Sequence, residues 1–185
     1  LALQAAKKAR RPTVLFTGHF GNYAAARVAL RARGFLIGVL YRPFNNPYFE
    51  SRHRVEVDKF GPGFPRGSEG LARMVRHLKA GNVAAIVGDQ HVSDGVTLRF
   101  FGLPAATSTS AARLAMRYDA DLIPIYSVRQ PDGLRFKLIL ESPVPHTDPE
   151  SMTQALNDSL ERVIRQYPEQ WMWSHRRWKL VDSTP

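Results

Sequence analysis

The stretch Thr13-Val14-Leu15-Phe16-Thr17-Gly18-His19-Phe20-Gly21-Asn22 decides the fold class. Its first five residues are β-branched or apolar, the composition of a short buried strand. Gly18 breaks that run, His19 to Asn22 form a turn, and an Ala-rich helical segment follows and ends at Gly34. Leu36 to Tyr41 is a second buried strand. Two strands joined through one helix are the repeating unit of a parallel sheet.

The same alternation continues along the chain. Arg42-Pro43 and Asn45-Asn46-Pro47 make the next turn. Ser68 is a candidate N-cap for a helix that places Leu71, Met74, Val75 and Leu78 on one face and stops at Gly81. Val83 to Val87 is a third strand, and it ends in the polar run Gly88-Asp89-Gln90-His91. Thr107 to Ser110 cap a helix reaching Tyr118, and Leu122 to Val128 is the next strand. Pro131-Asp132-Gly133 turns that strand back into Leu134 to Leu140 as a hairpin. Asp148-Pro149, an N-cap followed by proline at the first helical position, opens a helix with Met152, Leu156, Leu160, Val163 and Ile164 inward, and Pro168 ends it. Gly61 to Gly67 is a loop without the Gly-Lys-Ser/Thr ending of a P-loop. The expected fold is a single-domain α/β sandwich over residues 1–185, with a mostly parallel central sheet and an antiparallel edge. Chemistry in such sheets gathers at the carboxyl ends of the strands.

Composition narrows the function. The absence of cysteine excludes a disulfide scaffold, a Cys-ligated zinc and a thiol nucleophile. The apolar runs, such as Val83 to Val87, fall far short of the ~18 residues that cross a bilayer. Leu1 to Arg11 is a short basic amphipathic stretch without a Met start. A net charge of +10, from 26 Lys+Arg against 16 Asp+Glu, suits a polyanionic partner: nucleic acid, phosphorylated lipid, an anionic membrane face or an acidic carrier protein. No recognition-helix or zinc-finger pattern is present, which sets nucleic acid aside. His53, His77, His91 and His146 are scattered, and no His-Glu-x-x-His occurs, so no metal is expected. No Gly-x-Ser-x-Gly elbow occurs either, against a covalent serine mechanism.

His19 is the first candidate for chemistry. It directly follows a buried strand and precedes a helix whose free N–H groups favour developing negative charge. A neutral imidazole there can take a proton from a hydroxyl, although a histidine in a turn often serves only a local hydrogen bond. Arg42 offers a planar fork of donors to a phosphate, or else forms a surface ion pair. Asp89 and Gln90 could hold a sugar hydroxyl or position a basic residue, unless Asp89 only caps a turn. His175, Arg176, Arg177 and Lys179 interleave with Trp171, Trp173 and Trp178. Such a segment suits a membrane interface or a phosphate, or packs its aromatics into the core. Arg129, at a strand end, is a weaker candidate of the same type.

Gly18-His19-Phe20-Gly21-Asn22-Tyr23 resembles the histidine-plus-four-plus-acid motif of the lipid A biosynthesis acyltransferases. Tyr41-Arg42-Pro43 with Asn46-Pro47, Asp89-Gln90, Phe100-Phe101-Gly102-Leu103-Pro104-Ala105-Ala106-Thr107 and Met172-Trp173-Ser174-His175-Arg176-Arg177-Trp178-Lys179 are similar to further family segments in the same order, from about residue 14 to residue 179. The resemblance implies a glycerolphosphate-acyltransferase-like fold and no cofactor. It implies direct transfer of a fatty acyl chain from an acyl carrier protein thioester to a hydroxyl of a phosphorylated glucosamine lipid, with His19 as general base. Asn22 and the helix N-terminus would stabilise the oxyanion. Arg42, Asp89, Gln90, Arg129, His175, Arg176 and Arg177 would bind substrate. The place implied is the cytoplasmic face of the bacterial inner membrane, peripheral or anchored by a preceding helix, of which 1–11 would be the remnant.

One position departs from the motif. The family has Glu or Asp five residues after the histidine, and this chain has Ala24. Without an orienting carboxylate the chain is expected to be impaired, by ~10⁴ on the serine-protease analogy. Three explanations compete: a deliberate acid-to-Ala substitution, which is favoured; a natural loss of activity; or a carboxylate from elsewhere, with Asp89 and Glu50 as the sources. The alternatives for function are a catalytically dead lipid-binding domain and an acyltransferase for another glycolipid, such as a phosphatidylinositol mannoside.

Overall fold

The structure, a computed structural model, describes residues 2–179. The elements run α1 (Ala2–Lys8), β1 (Thr13–Thr17), α2 (Tyr23–Ala32), β2 (Ile37–Tyr41), α3 (Pro47–Asp58), β3 (Gly63–Pro65), α4 (Ser68–Lys79), β4 (Val83–Val87), β5 (Val96–Phe100), β6 (Leu103–Thr107), α5 (Ser110–Arg117), β7 (Asp121–Arg129), β8 (Phe136–Leu140) and α6 (Pro149–Gln166), then a 3-10 turn at Pro168–Gln170. Six strands form one sheet in the order β3-β2-β4-β1-β7-β8. All neighbours are parallel except β7 and β8. The α/β sandwich with an antiparallel edge is therefore the fold.

Alternation along the central strands builds two cores. Val14 and Phe16 of β1 join Leu122, Tyr126 and Val128 of β7 on one face, under Met74 and Leu78 of α4, three alanines of α5, and Leu156 and Leu160 of α6. Leu15, Ile123 and Ile125 point the other way, against Leu3 of α1 and Ala26 and Leu30 of α2. A strand buried on both faces needs every residue to be apolar or hydrogen-bonded, which is why β1 is buried throughout. The basic N-terminal stretch thus contributes core: Leu3 and Ala6 are buried.

Four elements differ from the sequence-based expectation. In α4 the N-cap is Gly67, with Ser68 the first helical residue, and Leu71 is exposed while Met74 and Leu78 are buried. Asn46-Pro47, expected as a turn, also starts α3: the Asn46 side chain accepts from the Tyr48 and Phe49 amides, and Pro47 takes the first helical position. The loop at Gly61 to Gly67 contains β3, a short edge strand against β2. Residues 96–107 form the hairpin β5-β6, turned by Phe101 and Gly102 at positive φ. The helix over 149–166 matches its expected start, with the Asp148 carboxylate accepting from Glu150 and Ser151.

Candidate active site

The chain leaves β1 to reach β2 on one side of the sheet, and leaves β4 to reach β7 on the other. Connections that diverge this way open a crevice at the carboxyl ends of two adjacent parallel strands. The register sets Thr17 opposite Val87. Two residues beyond each lie His19 and Asp89, which the register therefore brings side by side. Arg42 follows β2 and Arg129 ends β7 at the same edge, so one strip carries four of the candidate residues.

His19 Nδ1 lies 2.7 Å from Asp89 Oδ1, and the His19 backbone amide donates to Asp89 Oδ2 at 2.8 Å. Trp171 Nε1 donates to the same Oδ2 at 2.9 Å. Asp89 is 3% exposed, whereas the His19 side chain is 23% exposed. Burial pushes the Asp89 carboxyl up, but the hydrogen bond and charge of His19, the Trp171 indole and the His19 amide outweigh it and hold the group below the usual carboxylate range. An acceptor-only carboxylate at Nδ1 fixes the proton on that nitrogen. His19 Nε2 makes no hydrogen bond to a described residue, so its lone pair is the open one.

The expectation of an imidazole without an acid is corrected by this contact. Position 24 is exposed in the first turn of α2, and the carboxylate comes from β4 instead. Glu50 is engaged elsewhere, accepting from Tyr41 Oη and the Phe44 amide. Asp89 accepts three hydrogen bonds, one at Oδ1 from His19 Nδ1 and two at Oδ2 from the His19 amide and the Trp171 indole, and its burial keeps it at the back of the imidazole.

The turn after His19 is held by the C-terminal segment. Gly21 N–H donates to the Gln170 carbonyl, the Met172 amide donates to the His19 carbonyl, and Phe20 bridges Trp171. Gly21 has φ +54°, and a Cβ there would stand 2.0 Å from the Ser127 carbonyl oxygen. Only glycine meets both conditions. Asn22 Oδ1 caps α2 by accepting from the Ala25 amide, leaving the Asn22 NH₂ group as a donor. Tyr23 sets its ring edge-on to His19 at 5.6 Å.

The aromatic and basic C-terminal segment divides. Trp171 is buried and Trp178 half-buried beside Phe100, whereas Trp173 is exposed. Arg177 is buried, with its guanidinium donating to the Ala106 carbonyl and Thr107 Oγ1, so it ties the segment to β6 rather than facing a ligand. His175 Nε2 accepts from the His91 amide at 2.8 Å, and burial holds its imidazole below the usual range against the pull of Asp89. His175 also lines an open cleft of about 500 Å³ formed by Trp173–Lys179. Arg42, Arg129 and Arg176 are exposed, and Gln90 is half-buried without a side-chain hydrogen bond to a described residue. The Arg129 guanidinium rests over the Phe136 ring. Among the described residues no group of three His, Asp or Glu is arranged for a metal, and no helix is long and apolar enough to cross a membrane.

The sequence did not point to the Trp171 indole as a partner of Asp89, to the His91 amide that holds His175, or to Gln170. Gln170 Oε1 accepts from the Arg129 amide and its NH₂ donates to the Arg129 carbonyl, latching the end of β7. Only the glycine at 21 carried a local signal for this close packing.

The family model for bacterial lipid A biosynthesis acyltransferases matches residues 2–180. The chain belongs to the lipid A biosynthesis acyltransferase family. It is similar to the lipid A biosynthesis lauroyltransferase of Escherichia coli, at 33% identity over 77% of this chain and 48% of that relative. It is also similar to the lipid A biosynthesis acyltransferase of Haemophilus influenzae, at 21% identity over 92% of this chain and 55% of the relative. The E. coli lipid A biosynthesis palmitoleoyltransferase is 29% identical over 75% of the chain and 47% of the relative. The chain thus spans about half the length of the curated relatives it matches.

Proposed function

We propose that this chain carries the acyl-transfer site of a lipid A acyltransferase, with His19 as general base and Asp89, in place of an acid at position 24, as its orienting carboxylate. The observation that carries the proposal is the 2.7 Å contact between His19 Nδ1 and a buried Asp89 that leaves Nε2 free. The acceptor hydroxyl gives its proton to Nε2, and its oxygen attacks the thioester carbonyl. Charge builds on the carbonyl oxygen beside the amino-terminal turn of α2, where the Asn22 NH₂ group is a donor. Collapse of the tetrahedral adduct breaks the carbon–sulfur bond, and the thiolate leaves with the proton held on Nε2. Asp89 stabilises the imidazolium between those two steps.

The donor proposed is an acyl carrier protein thioester and the acceptor a phosphorylated glucosamine lipid. Both are anionic, as is the cytoplasmic leaflet where the chain is proposed to work, and all three suit a protein of net charge +10. Arg42, Arg129 and Arg176 are the exposed candidates for phosphate.

The test is acyl transfer by the full chain and by His19→Ala, Asp89→Asn and Ala24→Glu. The expected result is activity in the parent, loss in the first two variants, and Ala24→Glu within about threefold of the parent, since Nδ1 already has its acceptor. An inactive parent that gains turnover with Ala24→Glu would return the acid to position 24. Inactivity of all four with tight lipid binding would favour the binding domain.

A further inference from the structure

α3 is 12 residues long and buries none of them. Tyr48 is 83% exposed, Val55 60%, Phe49 53% and Phe44 47%. Phe44 and Phe49 pack with His53 as one cluster, and Tyr48 and Val55 stand exposed on the same helix, seven residues apart. Phe44 packs edge-on against Phe49 at 4.6 Å and His53 at 4.9 Å, and Glu50 pins the loop by accepting from Tyr41 Oη and the Phe44 amide. A built, exposed aromatic cluster marks an interaction surface, because leaving it in water has a free-energy cost that a partner would remove.

Charge names the partner. Arg54 is balanced by Asp58 and Lys59 by Glu56. The Arg42, Arg52 and Arg66 side chains have no hydrogen bond or ion pair among the described residues, and they border the same patch: Arg42 precedes it, Arg52 lies one turn after Tyr48, and the Arg66 amide donates to the Tyr41 carbonyl. Aromatic rings with unbalanced arginines fit the boundary of an anionic bilayer, where rings sit at headgroup depth and guanidinium groups meet phosphates. The patch follows β2, the neighbour of β4, at the carboxyl edge of the sheet that carries His19 and Asp89.

We infer that the Phe44–Val55 surface is the face by which this protein rests on an anionic membrane, with its carboxyl edge toward the lipid. The face itself stands apart from the acyl-transfer proposal, but its use, to admit an acceptor still embedded in the bilayer, rests on that proposal.

The experiment is sedimentation with phosphatidylcholine vesicles made with and without phosphatidylglycerol. The parent is expected to bind only the anionic vesicles. Tyr48→Ser with Phe49→Ser should weaken binding at least about tenfold. Arg52→Gln should weaken it about fivefold, and Arg31→Gln, the same charge loss at the far end of α2, should leave it within about twofold. With acceptor presented in vesicles these α3 variants lose turnover, and with detergent-dispersed acceptor they keep it. Arg52→Gln should match the parent in thermal unfolding, and the aromatic double variant should fall by only a few degrees, since its side chains are exposed and Phe49 gives up only its contacts with Phe44 and His53.

A parent that ignores anionic vesicles, an Arg31→Gln effect equal to that of Arg52→Gln, or an unchanged aromatic double variant would overturn the inference. So would a variant that instead fails to saturate with acyl carrier protein when the acceptor is in detergent, which would make the patch a protein-docking site. The expected vesicle pattern without acyl transfer by the parent would uphold the face and sink the enzymatic proposal alone.

Discussion

Replacing Asp89 by Asn changes one oxygen to an NH₂ group and little else in shape. Oδ2 receives two fixed donors, the His19 amide at 2.8 Å and the Trp171 indole at 2.9 Å. The Asn carbonyl must therefore take that place, and its NH₂ must face His19 Nδ1. A donor opposite Nδ1 forces the other tautomer, with the proton on Nε2, and a protonated Nε2 cannot accept a proton from the acceptor hydroxyl. The analogous exchange in serine proteases costs ~10⁴ in turnover, which at 1.36 kcal/mol per decade is ~5.5 kcal/mol of barrier. Loss of the carboxylate's attraction for the imidazolium acts in the same direction. The fold should survive, because three hydrogen bonds remain formable. Its stability should drop by about 1–3 kcal/mol. The assays are single-turnover acyl transfer and nitrogen NMR of the His19 ring. An orienting role for Asp89 predicts both a loss of about four decades and a shift of the ring proton from Nδ1 to Nε2. A variant within tenfold of the parent, or one that loses activity with its tautomer unchanged, would refute it.

Four further outcomes follow from the packing around the site. Gly21→Ala places a methyl 2.0 Å from the Ser127 carbonyl oxygen at φ +54° and should cost at least ~2 kcal/mol in denaturant unfolding, with activity falling as the turn carrying His19 shifts. Arg177→Ala strips two hydrogen bonds from β6 inside the core and should cost about 3 kcal/mol, whereas Arg177→Met, which keeps the volume, should cost less. His175 resists protonation when folded, since burial disfavours the cation and the His91 amide occupies Nε2. The unfolded chain therefore binds the extra proton first, and stability should fall as pH drops through about 6.5 toward the lowered folded value. His175→Gln should remove part of that slope, and His77, also held low by burial, should keep the rest. Asp89 acts at more acid pH: its lowered carboxyl contributes stability above about 3.9 that is lost as pH falls through the folded value.

The sequence alone determined the layered α/β class, the central strands and most helix starts, because those follow from contacts between near neighbours. Thr13 to Thr17 is apolar or β-branched throughout, and Asp148-Pro149 carries its cap and its first helical residue in adjacent positions. It also placed His19 and Asp89 at strand ends. α3 escaped because a helix with no buried residue has no apolar stripe to read, and β3 because a three-residue edge strand is too short to show a period. Which groups meet is set by the packing of the whole chain. The acid for His19 lies 70 residues away, and it arrives because β1 and β4 pair in parallel at matched height. The indole that completes its hydrogen bonds is Trp171, which directly follows the 3-10 turn Pro168–Gln170. Local sequence records the preference of each strand, whereas the order of strands is set by how two opposite apolar faces are covered at once, and that is a property of the whole chain.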